Sequence, residues 1–202
     1  MLAAGAAAVT LGWLAAGCGA ARPRAAATSY SIPHALLAAE RPIGRGPQFH
    51  PTAVGRPLGP CRPRLGARIE AHVEVFAANR VVIVAAGIGT RPPRAWSAGR
   101  LIRAGCYGGL VTLDPTGVVL VRPGSGLRLS DLFRSWGQVL STRRIGAFGA
   151  APGAHVTAFV NGRRWRGTPG RIPLAEHAEI VVEVGPHVPP HASFTFAPIH
   201  GA

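Results

Sequence analysis

The 202-residue chain is 48% hydrophobic and long enough to bury one medium-sized core. Its charge is one-sided: 22 basic residues, every one an Arg, stand against eight carboxylates, for a net charge of +14 with His neutral. Even if each carboxylate took one guanidinium, 14 would remain to meet water or an external anion, because burying them unpaired is prohibitive, and so few carboxylates leave little for paired acid–base chemistry.

From Leu2 to Leu14 the chain is apolar or small apart from Thr10, which is short for a membrane span and suited to the core of a signal peptide. The core ends in Leu14-Ala15-Ala16-Gly17-Cys18, which resembles the lipobox of bacterial lipoproteins. The resemblance implies removal of residues 1–17, diacylation of the Cys18 thiol and a membrane-held protein. Two features depart from the pattern. Leu14 stands four residues before the cysteine where three is usual, and no Arg or Lys precedes the core. An ordinary secretory peptide cleaved in the run Ala25-Ala26-Ala27 is the other reading, and both predict export. With Cys18 carrying lipid, Cys61 and Cys106 are the one possible intrachain pair in an oxidising compartment. Neither sits in a CxxC motif, which argues against a metal pair or a catalytic thiol.

Residues 18–64 are rich in Ala, Pro, Arg and Gly, and Pro42, Pro47, Pro51, Pro57, Pro60 and Pro63 forbid sustained helix or a central strand. The first part reads as a tether, and Ile43 to Cys61 as an extended arm pinned to a domain by the disulfide. That domain is expected over 65–185. Alternation in Ile69 to Phe76 predicts a half-buried strand with Ile69, Ala71, Val73 and Val75 on one face. Ala78-Asn79-Arg80 turns the chain into a second strand, Val81 to Ala86. Leu110 to Leu113 and Val118 to Val121 flank the turn Asp114-Pro115-Thr116-Gly117. Ser130 reads as an N-cap, with Asp131 in the first turn and Leu132, Phe133, Trp136 and Leu140 at helical spacing, for a helix of roughly eleven residues. A Gly/Ala loop follows. His155 to Val160 and Arg163 to Arg166 flank Asn161-Gly162, a strong hairpin signal, and Glu179 to Val184 reads as the last strand. Residues 186–202 form a Pro/His-rich tail.

The predicted fold is therefore α+β, a mixed sheet with one short helix. The order of elements from Tyr107 onward resembles a β-grasp domain, with Ile69 to Ala86 as an additional N-terminal hairpin. The strand–Asn-Gly–strand ending is also similar to small sulfur-carrier β-grasp proteins. Sulfur carriage uses a terminal diglycine, so the ending Ile199-His200-Gly201-Ala202 is not expected to support it. His72, Ala86-Gly87-Ile88-Gly89, Cys106, Asp114-Pro115-Thr116-Gly117-Val118, Leu127 to Phe133 with Trp136-Gly137, and Val160-Asn161-Gly162 are together similar to a family of uncharacterised exported proteins of GC-rich Gram-positive bacteria. Many such relatives carry Leu-His-Thr-His-Asp where this chain reads Leu110-Val111-Thr112-Leu113-Asp114, a pair of His that would suit a metal. Val111 and Leu113 replace both here, and His72 is expected to be a hydrogen-bonded histidine within the sheet.

Other chemistry is weak. Gly87-Ile88-Gly89 after an apolar strand has part of a dinucleotide fingerprint, but Arg91-Pro92-Pro93 follows where a helix must start. Gly124-Ser125-Gly126 lacks the spacing of a nucleophile elbow. His187, His191 and His200 in the tail are weak metal candidates without Cys or acidic co-ligands. Arg163-Arg164-Trp165-Arg166 is the best binding candidate, since guanidiniums around an indole suit an anion or an anionic polysaccharide. The competing reading is an edge strand with Trp165 in the core and arginines that discourage aggregation. Strand alternation would place Arg164 and Arg166 on one face, Arg163 and Trp165 on the other. The expectation is a non-enzymatic envelope module without a cofactor. It would be held to the membrane by its lipid anchor and bind an anionic envelope polymer or another envelope protein, with no specific nucleic acid. The alternative is an extracytoplasmic metal-binding protein using His72, His187 and His191.

Overall fold

The centre of the domain is β1 (Ile69–Ala77), whose inward residues Ala71, Val73, Val75 and Ala77 are at most 1% exposed. A computed structural model describes residues 41–186 and 194–196, all within one compact unit. The other strands are β2 (Arg80–Val82), β3 (Thr90–Ser97), β4 (Arg100–Tyr107), β5 (Leu110–Val111), β6 (Val118–Val121), β7 (Arg144–Ile145), β8 (Phe148–Gly149), β9 (Thr157–Val160), β10 (Arg163–Arg164) and β11 (Glu179–Val184). A seven-stranded mixed sheet runs β10-β9-β11-β1-β6-β5, with β2 also paired to β1. β1 and β11 are parallel, in the register His72↔Glu179 to Ala77↔Val184, and the other ladders are antiparallel. The fold class is α+β: a mixed sheet packed on one helix, α1 (Leu129–Trp136), among the described residues.

β1 and β2 form the expected N-terminal hairpin, antiparallel in the register Val75↔Val82 to Ala77↔Arg80. β1 is at the same time the middle of the sheet, while Leu110–Val111 lies at its edge. A nine-residue strand with an apolar row can be buried on both sides, whereas a two-residue strand cannot anchor a sheet. The return strand is shorter than Val81 to Ala86. The arm pairs along its other side and past its end: Val81 N–H donates to Pro42 O at 3.1 Å, and Ile83 N–H, just beyond Val82, to Phe49 O at 2.8 Å. The turn into β2 has Ala78 and Asn79 both left-handed, at φ 49° and 61°, the twist a two-residue hairpin needs.

α1 begins earlier than expected and is shorter. Its N-cap is Arg128 rather than Ser130, and the Oδ2 of Asp131 accepts the Arg128 N–H at 2.8 Å. Gly137, at φ 82°, ends it, and Gln138 N–H closes back on Phe133 O at 2.9 Å. Leu140 therefore falls outside the helix. Leu129, Leu132, Phe133 and Trp136 are buried against the sheet.

The arm lies on this body through named bonds. Trp136 Nε1 donates to Pro51 O at 3.1 Å, Ser135 Oγ to Arg56 O at 3.0 Å, and Val54 N–H to Trp136 O at 3.1 Å. A Cβ at Gly55 would run into the Arg134 and Ser135 carbonyls, so only glycine lets the arm cross the helix end. Phe49 is 7% exposed within the main core and meets the ring of Phe148 at 4.6 Å. Cys61 and Cys106 are disulfide-bonded, with Cα atoms 5.4 Å apart, joining the arm to β4.

Two hairpins were not expected. β7–β8 occupies the predicted Gly/Ala loop. β3–β4 forms a separate two-stranded sheet in which Pro92 and Pro93 fall at a register shift between Arg91 and Arg94. There no ladder donor is required of them, so the Pro-Pro pair does not break the strand. This hairpin packs on the β5–β6 edge through Leu101, Ala104, Tyr107 and Val111, and Leu101 N–H donates to Leu113 O at 2.6 Å.

Candidate anion-binding site

β10 is the edge strand of the large sheet, held to β9 by the Asn161-Gly162 turn, both residues left-handed at φ 49° and 73°. The strand ends at Arg164, so the expected two-face alternation does not extend to Trp165 and Arg166. Instead all four residues line one open depression of about 880 Å³. Arg163, Arg164 and Arg166 are exposed, while Trp165 is half-buried and packs on the main core. Trp165 thus packs on the core, as the edge-strand reading expects, and also lines the depression. The indole is fixed by Nε1–H donation to Thr168 O at 3.2 Å, and a Cβ at Gly167 would stand 2.9 Å from that nitrogen.

Sequence pattern did not connect the rest of the lining with this cluster. Thr142 and His155 come from the long loop after α1, joined where Val156 N–H donates to Thr142 O at 2.8 Å, and Thr168 and Pro169 close the depression. The lining holds three guanidiniums, an imidazole and two threonine hydroxyls, and no carboxylate. Such a set can bind an anion by charge-assisted hydrogen bonds and stack a ring on the indole.

The carboxylates are elsewhere. The β1–β11 register puts Glu70, Glu74, Glu179 and Glu183, half of the eight in the chain, on the sheet face opposite α1. Burial and the neighbouring Glu179 push the Glu74 carboxyl up to about 7. Glu179 is also raised by burial, opposed by a hydrogen bond from the Phe194 backbone. Asp114 and Asp131 pair with Arg100 and Arg134, the only ion pairs among the described residues.

His72 lies on that carboxylate face and is 5% exposed. Its Nε2 is 3.1 Å from Thr116 O, and its ring stacks on Phe194 at 3.9 Å. Among the described residues no three His, Cys, Asp or Glu side chains gather as a metal would require. Cys18, His187 and His191 lie outside the described residues. Gly87-Ile88-Gly89 forms a turn that leads into β3 rather than into a helix, with the Ile88 N–H donating to Thr112 Oγ1 at 3.0 Å. No helix of the described residues is long and apolar enough to cross a membrane. Comparison with family models, curated proteins and solved structures finds no match.

Proposed function

We propose that this chain is an exported, lipid-anchored envelope module, non-enzymatic and β-grasp-like, that binds an anionic envelope polymer or an acidic partner protein through Arg163, Arg164, Trp165 and Arg166. The observation that carries the reading is the carboxylate-free depression in which those four side chains meet. Among the described residues none of its guanidiniums is ion-paired with a carboxylate. An open, solvated bowl suits a flexible polymer, whose repeated charges compensate for weak single contacts.

Three further features support the compartment and the fold. The apolar leader ends in a lipobox-like run at Cys18. A Cys61–Cys106 disulfide is compatible with an oxidising compartment. A central parallel pair, β1 and β11, with antiparallel neighbours and one helix against the sheet supports the β-grasp-like reading.

Long-chain polyphosphate is a suitable probe for the site. Binding is expected to weaken steeply with salt, and the triple variant R163A/R164A/R166A to lose roughly tenfold or more in affinity. Unchanged binding by that variant sinks the assignment of the site. The anchor is tested separately by palmitate labelling, expected for the wild type and lost in Cys18→Ser.

A further inference from the structure

The edge of the large sheet opposite β10 is covered by the β3–β4 hairpin, and it is as basic as the first. No Asp or Glu occurs between Ala77 and Leu113. Among the described residues Arg100 is the one hairpin arginine that meets a carboxylate, that of Asp114. Arg91 and Arg103 are exposed, and Arg94 spends its donors on Thr90, to Oγ1 at 3.0 Å and to O at 2.7 Å. At the hairpin's base a cleft of about 480 Å³ opens between it and the arm, lined by Arg56, Arg91 and Arg94 and by no acidic residue. Nearby, Arg68 donates to the carbonyls of Gly108 and Gly109 at 3.0 Å, crowded by Arg122 and Arg62. Burial and those two like charges pull its pKa down to about 10, so the positive charge at this edge is not relieved from within.

The same hairpin exposes large apolar side chains. Ile102 is 60% exposed and Trp96 47%, and Val54, which lines the cleft, is 71% exposed. Exposed Ile and Val gain nothing from a dissolved polyanion. Beside unpaired arginines they suit a surface that offers phosphate and hydrocarbon together, and an indole is at home at such an interface.

We propose that the β3–β4 hairpin and the cleft at its base dock on an acidic phospholipid bilayer, the cleft taking a headgroup phosphate and Ile102 and Trp96 entering the interfacial layer. This site is separate from the depression at β10 and does not rest on it. Five strand spacings part the two edges, roughly 24 Å. The chain is thereby built to lie with one edge on the leaflet while the other edge faces away from it.

The test uses the full chain carrying Trp13→Phe, so that the leader contributes no indole, with vesicles of brominated phosphatidylglycerol or brominated phosphatidylcholine. Trp136 is 1% exposed, which leaves Trp96 and Trp165 as reporters. Fluorescence is expected to be quenched severalfold more by the acidic vesicles, and the quenching to disappear with a further Trp96→Phe. R91A/R94A/R103A should raise the lipid concentration for half-quenching roughly tenfold or more, and Ile102→Ser should raise it with all arginines intact. Three outcomes overturn the proposal. One is quenching that survives Trp96→Phe, which puts the β10 edge on the lipid. Another is a protein that pellets with the vesicles while Trp96 stays unquenched. The third is quenching as strong with neutral as with acidic lipid. Failure here leaves polyphosphate binding at Arg163–Arg166 untouched, and the reverse also holds.

Discussion

The two faces of β1 obey different rules. Toward α1 the strand presents Ala71, Val73, Val75 and Ala77, each almost without solvent contact and each apolar. On the other face stand Glu70, His72, Glu74 and Phe76, and two of these, His72 and Phe76, are also buried. Alternation of apolar and polar residues ordinarily means that the polar row faces water. Here it means a second buried layer, in which carboxylates are held partly desolvated. The contrast teaches that periodicity reports the spacing of a face and not what covers it.

The apolar face should be the costlier one to damage. Phe133, 1% exposed on α1, packs into that layer and meets the Trp136 ring at 5.5 Å. Phe133→Ala is expected to destabilise by about 3–5 kcal/mol in urea unfolding. A loss under about 1 kcal/mol would mean that the layer collapses around the cavity and is not close-packed. The disulfide comes next. It closes 45 residues of chain, and Cys61→Ser/Cys106→Ser should cost about 3–4 kcal/mol, most of it through the unfolded state.

The polar face should instead announce itself through pH. Glu74 titrates near 7 in the fold and near 4.5 when unfolded. The folded chain therefore binds more protons between those values, and stability falls as pH rises from about 4.5 through 7. Glu74→Gln removes that cost. Near pH 8 the variant should exceed the wild type by on the order of 2 kcal/mol, and near pH 4 the two should coincide. A residual slope from Glu70 and Glu179, both raised by burial, should remain. Parallel pH curves for the two proteins would show that the layer is wet.

Most of the sheet was legible because β1, β6, β9 and β11 are written in alternation and turn chemistry, above all Asn161-Gly162. What escaped had physical reasons. Pro92-Pro93 stands for a broken strand unless a bulge relieves both residues of a ladder bond. The rank of β1 as the centre depends on a parallel partner more than a hundred residues away. The arginines of the β10 depression were visible as a cluster and His155 as the start of the strand before them, but Thr142 reaches the depression from the far side of the β7–β8 hairpin, a segment with no periodic signal. The basic hairpin was missed together with its strands.

The smallest effect concerns a carboxylate outside both layers. Asp131 accepts the Arg128 N–H at the start of α1 and meets Arg134 at 2.6 Å, an ion pair whose arginine side chain is 68% exposed. Helix capping satisfies a backbone donor that has no intrahelical partner, whereas an exposed ion pair is screened by water. Asp131→Ala should therefore cost about 1 kcal/mol, nearly all of it from the cap. In a double-mutant cycle with Arg134→Ala, measured by thermal unfolding, the coupling should stay under about 0.5 kcal/mol and shrink further in salt. A coupling as large as the cap itself would show that this surface pair is sheltered from solvent, and it would blur the line between the carboxylates of the sheet and those of the surface.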